Sequence, residues 1–193
     1  MKRKGIKQTI KEYYFINPNA KLRVRELERT LNLPLPSIIR YCKELEKEEI
    51  LTIEKIGNII LYTASRNETY FLEKKLYNIK QLYISKLIDY LKIELNNPVI
   101  ILFGSFSKGE DTENSDIDLY IETLSKKQIK IEKFNKLLKR EIQIVRHKNI
   151  KTVTNPHLAN NIINGITLNS YIEVFKWKKQ IGMNVYPTTQ QKT

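Results

Sequence analysis

Apolar residues at Ile6, Ile10, Tyr13 and Tyr14 recur at steps of three and four, which predicts a first helix closed by Asn17-Pro18-Asn19. Val24, Leu27 and Leu31 continue the period as a short second helix. Residues 32–36 then break it, because two prolines within five residues remove backbone donors and crowd the preceding turn. The helical period resumes over residues 37–48 through Ile38, Tyr41, Cys42 and Leu45, and leaves Arg40 and Lys43 on the outer face. Two short β-prone runs, 51–53 and 59–62, flank Gly57-Asn58 and predict a hairpin. From 67 to 95 the positions Phe71, Leu72, Leu76, Ile79, Tyr83, Leu87 and Leu91 predict one long helix. Its first half reads as a connector or dimer seam, and its second half as the first helix packed on a following sheet.

Residues 99–103, Val-Ile-Ile-Leu-Phe, form an unbroken apolar run after Pro98, as expected of a strand buried on both faces. The run delivers the chain to Gly104 and Ser105. A glycine there lets backbone approach a phosphate closely, and a helix starting at Ser105 would turn free amides toward it. After the polar loop 110–115 comes a predicted strand, 116–121, in which Asp116 and Asp118 alternate with Ile117 and Leu119. Strand alternation places both carboxylates on one side, where they repel unless a cation lies between them. Magnesium, which favours carboxylate oxygens together with substrate phosphates, suits such a pair.

The stretch GSFSKGEDTENSDIDL resembles the signature of the minimal nucleotidyltransferases of the polymerase-beta superfamily, and the likeness extends over about residues 98–175. The stretch RVRELERTLNLPLPSIIRYCKELEKEEILTIEKIGNIILYTAS resembles winged-helix regulators; archaeal nucleotidyltransferases with such an N-terminal module look most similar. The resemblances imply an α+β protein. They lay out a winged helix-turn-helix domain over 1–66, a connecting helix over 67–97 and a nucleotidyltransferase domain with a mixed sheet flanked by helices over 98–180; a terminal tail, 181–193, is expected to be disordered. They further imply that Gly104, Ser105 and Ser115 contact a nucleoside triphosphate, ATP foremost. Asp116 and Asp118 would hold Mg2+, and Ser37, Arg40 and Lys43 would face DNA.

The family usually supplies a third carboxylate from the next strand, and in the matching register this chain has Gln143. Glutamine offers a neutral carbonyl and cannot act as a general base. Glu141, two residues earlier, is the candidate replacement in the catalytic set; otherwise it pairs with a surface lysine or arginine. Two functions are therefore expected in competition. One is a magnesium-dependent nucleotidyltransferase acting on an unidentified acceptor, such as a protein. The other is a DNA-binding regulator whose degenerate transferase domain senses nucleotide.

Composition adjusts this picture in a few places. A formal net charge of +13 suits a polyanionic partner, although the abundance of Lys, Ile, Asn and Tyr also fits AT-rich coding. The single cysteine, Cys42, excludes an internal disulfide and a cysteine-based zinc site. No apolar run has signal or membrane-span length, so a cytoplasmic protein with no membrane partner is expected. His147 and His157 lack partner patterns and read as surface residues. Trp177, within a basic run, reads as a tail anchor. Helix-turn-helix proteins commonly read paired half-sites, which makes a homodimer the natural assembly.

Overall fold

The computed structural model describes residues 5–173. The N-terminal part runs α1 (Ile6–Ile16), α2 (Val24–Leu31), α3 (Leu35–Lys47), then a hairpin of β1 (Leu51–Ile56) and β2 (Ile59–Ala64), paired antiparallel. Helix α3 starts two residues earlier than periodicity predicts. Pro36 falls in its first turn, where the missing N–H costs nothing and the fixed φ is already helical. The core of this part gathers Ile10, Tyr14, Phe15, Leu27, Ile38, Cys42, Leu45 and Leu51, all buried. Burial pushes the Cys42 thiol up to about 12, so it stays protonated and behaves as a small apolar side chain.

The long helix expected over 67–95 is instead two, α4 (Glu68–Ile84) and α5 (Leu87–Glu94). Lys86 sits between them in the left-handed region at φ 65°. Ser85 fastens the break: its hydroxyl donates to the Leu82 carbonyl at 2.8 Å and accepts the Leu87 amide at 3.3 Å. Apolar spacing runs through this point without a glycine or proline, so nothing in the pattern marks it. The redirected α5 drives Leu87, Ile88, Leu91 and Leu95 into the core under the sheet.

Helix α4 belongs to both halves of the molecule. Near its start the Tyr70 hydroxyl donates to the Tyr14 carbonyl at 2.8 Å inside the N-terminal core, while Leu82 at its far end joins the sheet core.

The remaining elements are β3 (Val99–Phe103), α6 (Gly104–Lys108), β4 (Ile117–Glu122), α7 (Glu132–Leu138), β5 (Ile142–His147), α8 (Pro156–Ile163) and β6 (Ile166–Asn169). The strands form one mixed sheet in the order β5-β4-β3-β6, with β4 and β5 parallel and the other pairs antiparallel. All five residues of β3 are buried, as an inner strand covered on both faces requires. Ile100 and Leu102 face α5 and α7, whereas Val99, Ile101 and Phe103 face Ile150 and the α8 residue Ile162. Helix α7 is short, and Ile129 and Ile131, although spaced as if on its face, belong to the preceding loop and pack on the core.

Among the described residues no helix is long and apolar enough to cross a membrane. Trp177 and the tail 181–193 lie outside the described residues.

Candidate nucleotide and metal site

Strand β3 ends where the chain must turn sharply, and Gly104 makes that turn at φ 72°. The backbone conformation favours glycine, and a β-carbon at this position would also force the Asp118 carboxylate to shift. Helix α6 follows directly. The buried Ser107 hydroxyl donates to the Gly104 carbonyl at 2.7 Å and fixes the turn, while Phe106 pins the helix in the core. Ser105 is half-buried beside Gly104.

Asp116 lies one residue before β4 and Asp118 within it, with Asp118 paired opposite Phe103. Two residues apart on an extended chain, they point to one side. Burial, reinforced by the neighbouring Asp116 charge, raises the Asp118 carboxyl above its ordinary value.

Parallel pairing sets Gln143 of β5 beside Asp118, on the side the two acids share. Its side-chain amide donates to Asp116 Oδ2 at 2.5 Å. The strand register thus places a neutral amide next to the acid pair. Glu141, the candidate third acid, is exposed just before β5, and its carbonyl accepts the Ile117 amide at 2.8 Å. Among the described residues no three His, Cys, Asp or Glu side chains group as metal ligands, so Glu141 does not join the pair. Residues 1–4 and 174–193 contain no Asp or Glu.

The donor set nevertheless fits a magnesium ion. Mg2+ commonly takes one or two carboxylates and completes its shell with phosphate oxygens and water. Rotation of the Gln143 amide would turn its carbonyl oxygen toward the same ion.

The 110–115 loop is less solvated than its polar composition suggests. Asp111 is almost fully buried, and Ser115 is turned inward, its hydroxyl accepting the Thr112 amide at 2.9 Å. Ser115 therefore supports the loop. Sequence reasoning missed Asp111 because one acid in a polar run carries no mark of burial.

On α3, Arg40 and Lys43 are exposed and Ser37 is half-buried. Arg40 lies over the Tyr41 ring at 4.3 Å and within 3.7 Å of Glu44. A second basic group escaped the periodicity reading. Arg23, Arg25 and Arg29 line a groove between α2 and the hairpin residues Asn58, Ile59 and Ile60. Three arginines within seven residues were its available signal. His147 meets Thr152 at 3.0 Å and stacks on Tyr120, and His157 is exposed; neither approaches a metal-ligand cluster.

Residues 85–173 match the sequence model of the family described as Polymerase beta, Nucleotidyltransferase, and the mixed sheet with its flanking helices fits that assignment. No curated protein and no solved structure matches the chain.

Proposed function

We propose that the nucleotidyltransferase domain of residues 85–173 binds a nucleoside triphosphate with Mg2+ and serves as a nucleotide sensor, without completing nucleotidyl transfer. The observation that carries this reading is Gln143, in register with Asp118 and hydrogen-bonded to Asp116 where a third acid would stand. Asp116 and Asp118 would hold the ion. Gly104 brings the backbone of α6 close to the phosphates, and Ser105 adds a hydroxyl donor. The ion would supply charge neutralisation at the phosphates. What the chain's own side chains lack is a carboxylate placed to take the proton from an attacking hydroxyl.

The three-helix-and-hairpin part is read as a winged helix that binds DNA. The order of its elements, the exposed Arg40 and Lys43, the Arg23, Arg25 and Arg29 groove and the net charge of +13 support that reading. Nucleotide state would alter DNA affinity only if the triphosphate binds the free and DNA-bound forms unequally.

Calorimetric titration with ATP, with and without Mg2+, tests the binding claim. Wild type is expected to bind in a Mg2+-dependent manner, and Asp116→Asn with Asp118→Asn to lose that dependence. Identical binding by wild type and the double variant would refute the site.

Transfer remains the second reading, favoured by the family match and the complete Gly104–Asp118 cradle. It requires the acceptor or a second protein to bring the missing base.

A further inference from the structure

The family match begins at residue 85, yet the loop that delivers Asp116 is fastened from outside it. Resting on the nucleotide-site reading above, we propose that Lys74 and Asn78 of α4 are positioning residues of that site, setting the place of Asp116 through Asp111 and Arg140.

Residues 110–115 have no strand partner, so side chains must hold them. The Asp111 carboxylate takes three bonds: Lys74 Nζ lies 3.2 Å from Oδ1, Asn78 Nδ2 donates to Oδ1 at 2.8 Å, and Arg140 Nη2 donates to Oδ2 at 3.1 Å. Lys74 also donates to the Asp111 carbonyl. Arg140 spans the rest of the loop, with Nη1 donating to the Thr112 carbonyl and, at 3.2 Å, to the Ser115 carbonyl immediately before Asp116. Asn78 reaches the cradle as well, donating to the Phe106 carbonyl of α6 at 3.0 Å. One helix turn of α4 therefore holds both the phosphate-side helix and the acid-bearing loop.

Two features separate this arrangement from incidental packing. Gly109, at φ 78°, rests directly on the α4 backbone; a β-carbon there would strike the Phe71 carbonyl and the Lys75 amide. The loop is thus seated on α4 at van der Waals range. The charges are also deeply buried, Lys74 wholly, Asp111 to 1 % exposure and the Arg140 side chain to 8 %. Burial lowers the Lys74 pKa against the opposing pull of Asp111. Apolar residues would fill this volume at less cost; what the ionic network adds is one defined geometry for the loop.

Full-length Lys74→Met, which keeps length and removes charge, and Arg140→Lys, which keeps charge and loses the fork that reaches two carbonyls, test the proposal. Three readouts are taken: Mn2+ affinity by electron paramagnetic resonance, metal-free ATP affinity, and amide exchange at 112–116. Both variants are expected to weaken Mn2+ binding about tenfold and to speed exchange in the loop by about the same factor, leaving metal-free ATP affinity unchanged. A purely structural role would leave Mn2+ affinity unchanged in folded protein. Unchanged loop exchange and Mn2+ affinity in folded variants overturns the proposal. If Lys74→Met fails to fold, Asn78→Ala, which removes the other α4 donor to Asp111, decides by the same loop-exchange and Mn2+ readouts. If wild type binds no Mn2+, the nucleotide-site reading fails, and loop exchange alone decides whether Lys74 and Arg140 fix Asp116.

Discussion

At the residue scale the site is a balance of three side chains. Asp116 and Asp118 repel each other, and Gln143 relieves Asp116 by donating an amide hydrogen. Because the folded-state pKa of Asp118 lies above its ordinary 3.8, the native state holds that proton more tightly than the unfolded chain. Stability is therefore lost as pH rises from 3.8 through the raised value, and the whole penalty is present at neutral pH. Asp118→Asn should raise the melting temperature in metal-free buffer at pH 7, with the gain vanishing below pH 3.8. Thermal melts across pH check the sign; a destabilised variant at pH 7 would contradict it. The shared side of Asp116 and Asp118 was legible because strand alternation is a simple rule, and Gln143 was singled out by comparison with the pattern of the family that the sequence resembles. Asp111 was not, since its burial depends on Lys74, Asn78 and Arg140, residues far away in sequence.

Among the elements, periodicity recovered all three N-terminal helices, the hairpin and the buried strand β3. It failed where one helix becomes two. The cause is local: Tyr83, Leu87 and Leu91 keep the helical spacing while Lys86 leaves helical geometry. A lysine in the left-handed region carries strain of about 1 kcal/mol that glycine would not. Lys86→Gly should thus be neutral or stabilise by up to about 1 kcal/mol, whereas glycine inside a continuous helix would cost about that amount. Urea denaturation distinguishes the two. The short α7 has a similar explanation, because Ile129 and Ile131 are apolar for packing rather than for helix formation.

Across the whole molecule, α4 is the shared beam. Tyr70 completes the N-terminal core, Leu82 the sheet core, and Lys74 and Asn78 between them hold the site loop. A second tie joins the halves at the surface, where the Glu113 carboxylate accepts both the backbone amide and the side-chain amide of Asn19 at 3.0 and 2.7 Å. Burial alone would raise the Glu113 pKa, but these bonds outweigh it and hold the carboxyl below its ordinary value. Two halves joined in this way should unfold together. Scanning calorimetry is expected to show one transition whose calorimetric and van't Hoff enthalpies agree, and two resolved transitions would contradict a shared beam. Sequence periodicity showed that a helix links the halves; it could not show that the link also holds the 110–115 loop through Lys74 and Asn78.

The central claim is a triphosphate site that binds without transferring, and incubation with α-labelled ATP and Mg2+ tests it most directly. Wild type should retain the nucleotide intact, with no acid-stable label on any acceptor and no pyrophosphate released, and Gln143→Asp provides the comparison with a third acid in place. Pyrophosphate release or stable label from wild type, abolished by Asp116→Asn with Asp118→Asn, would contradict the account.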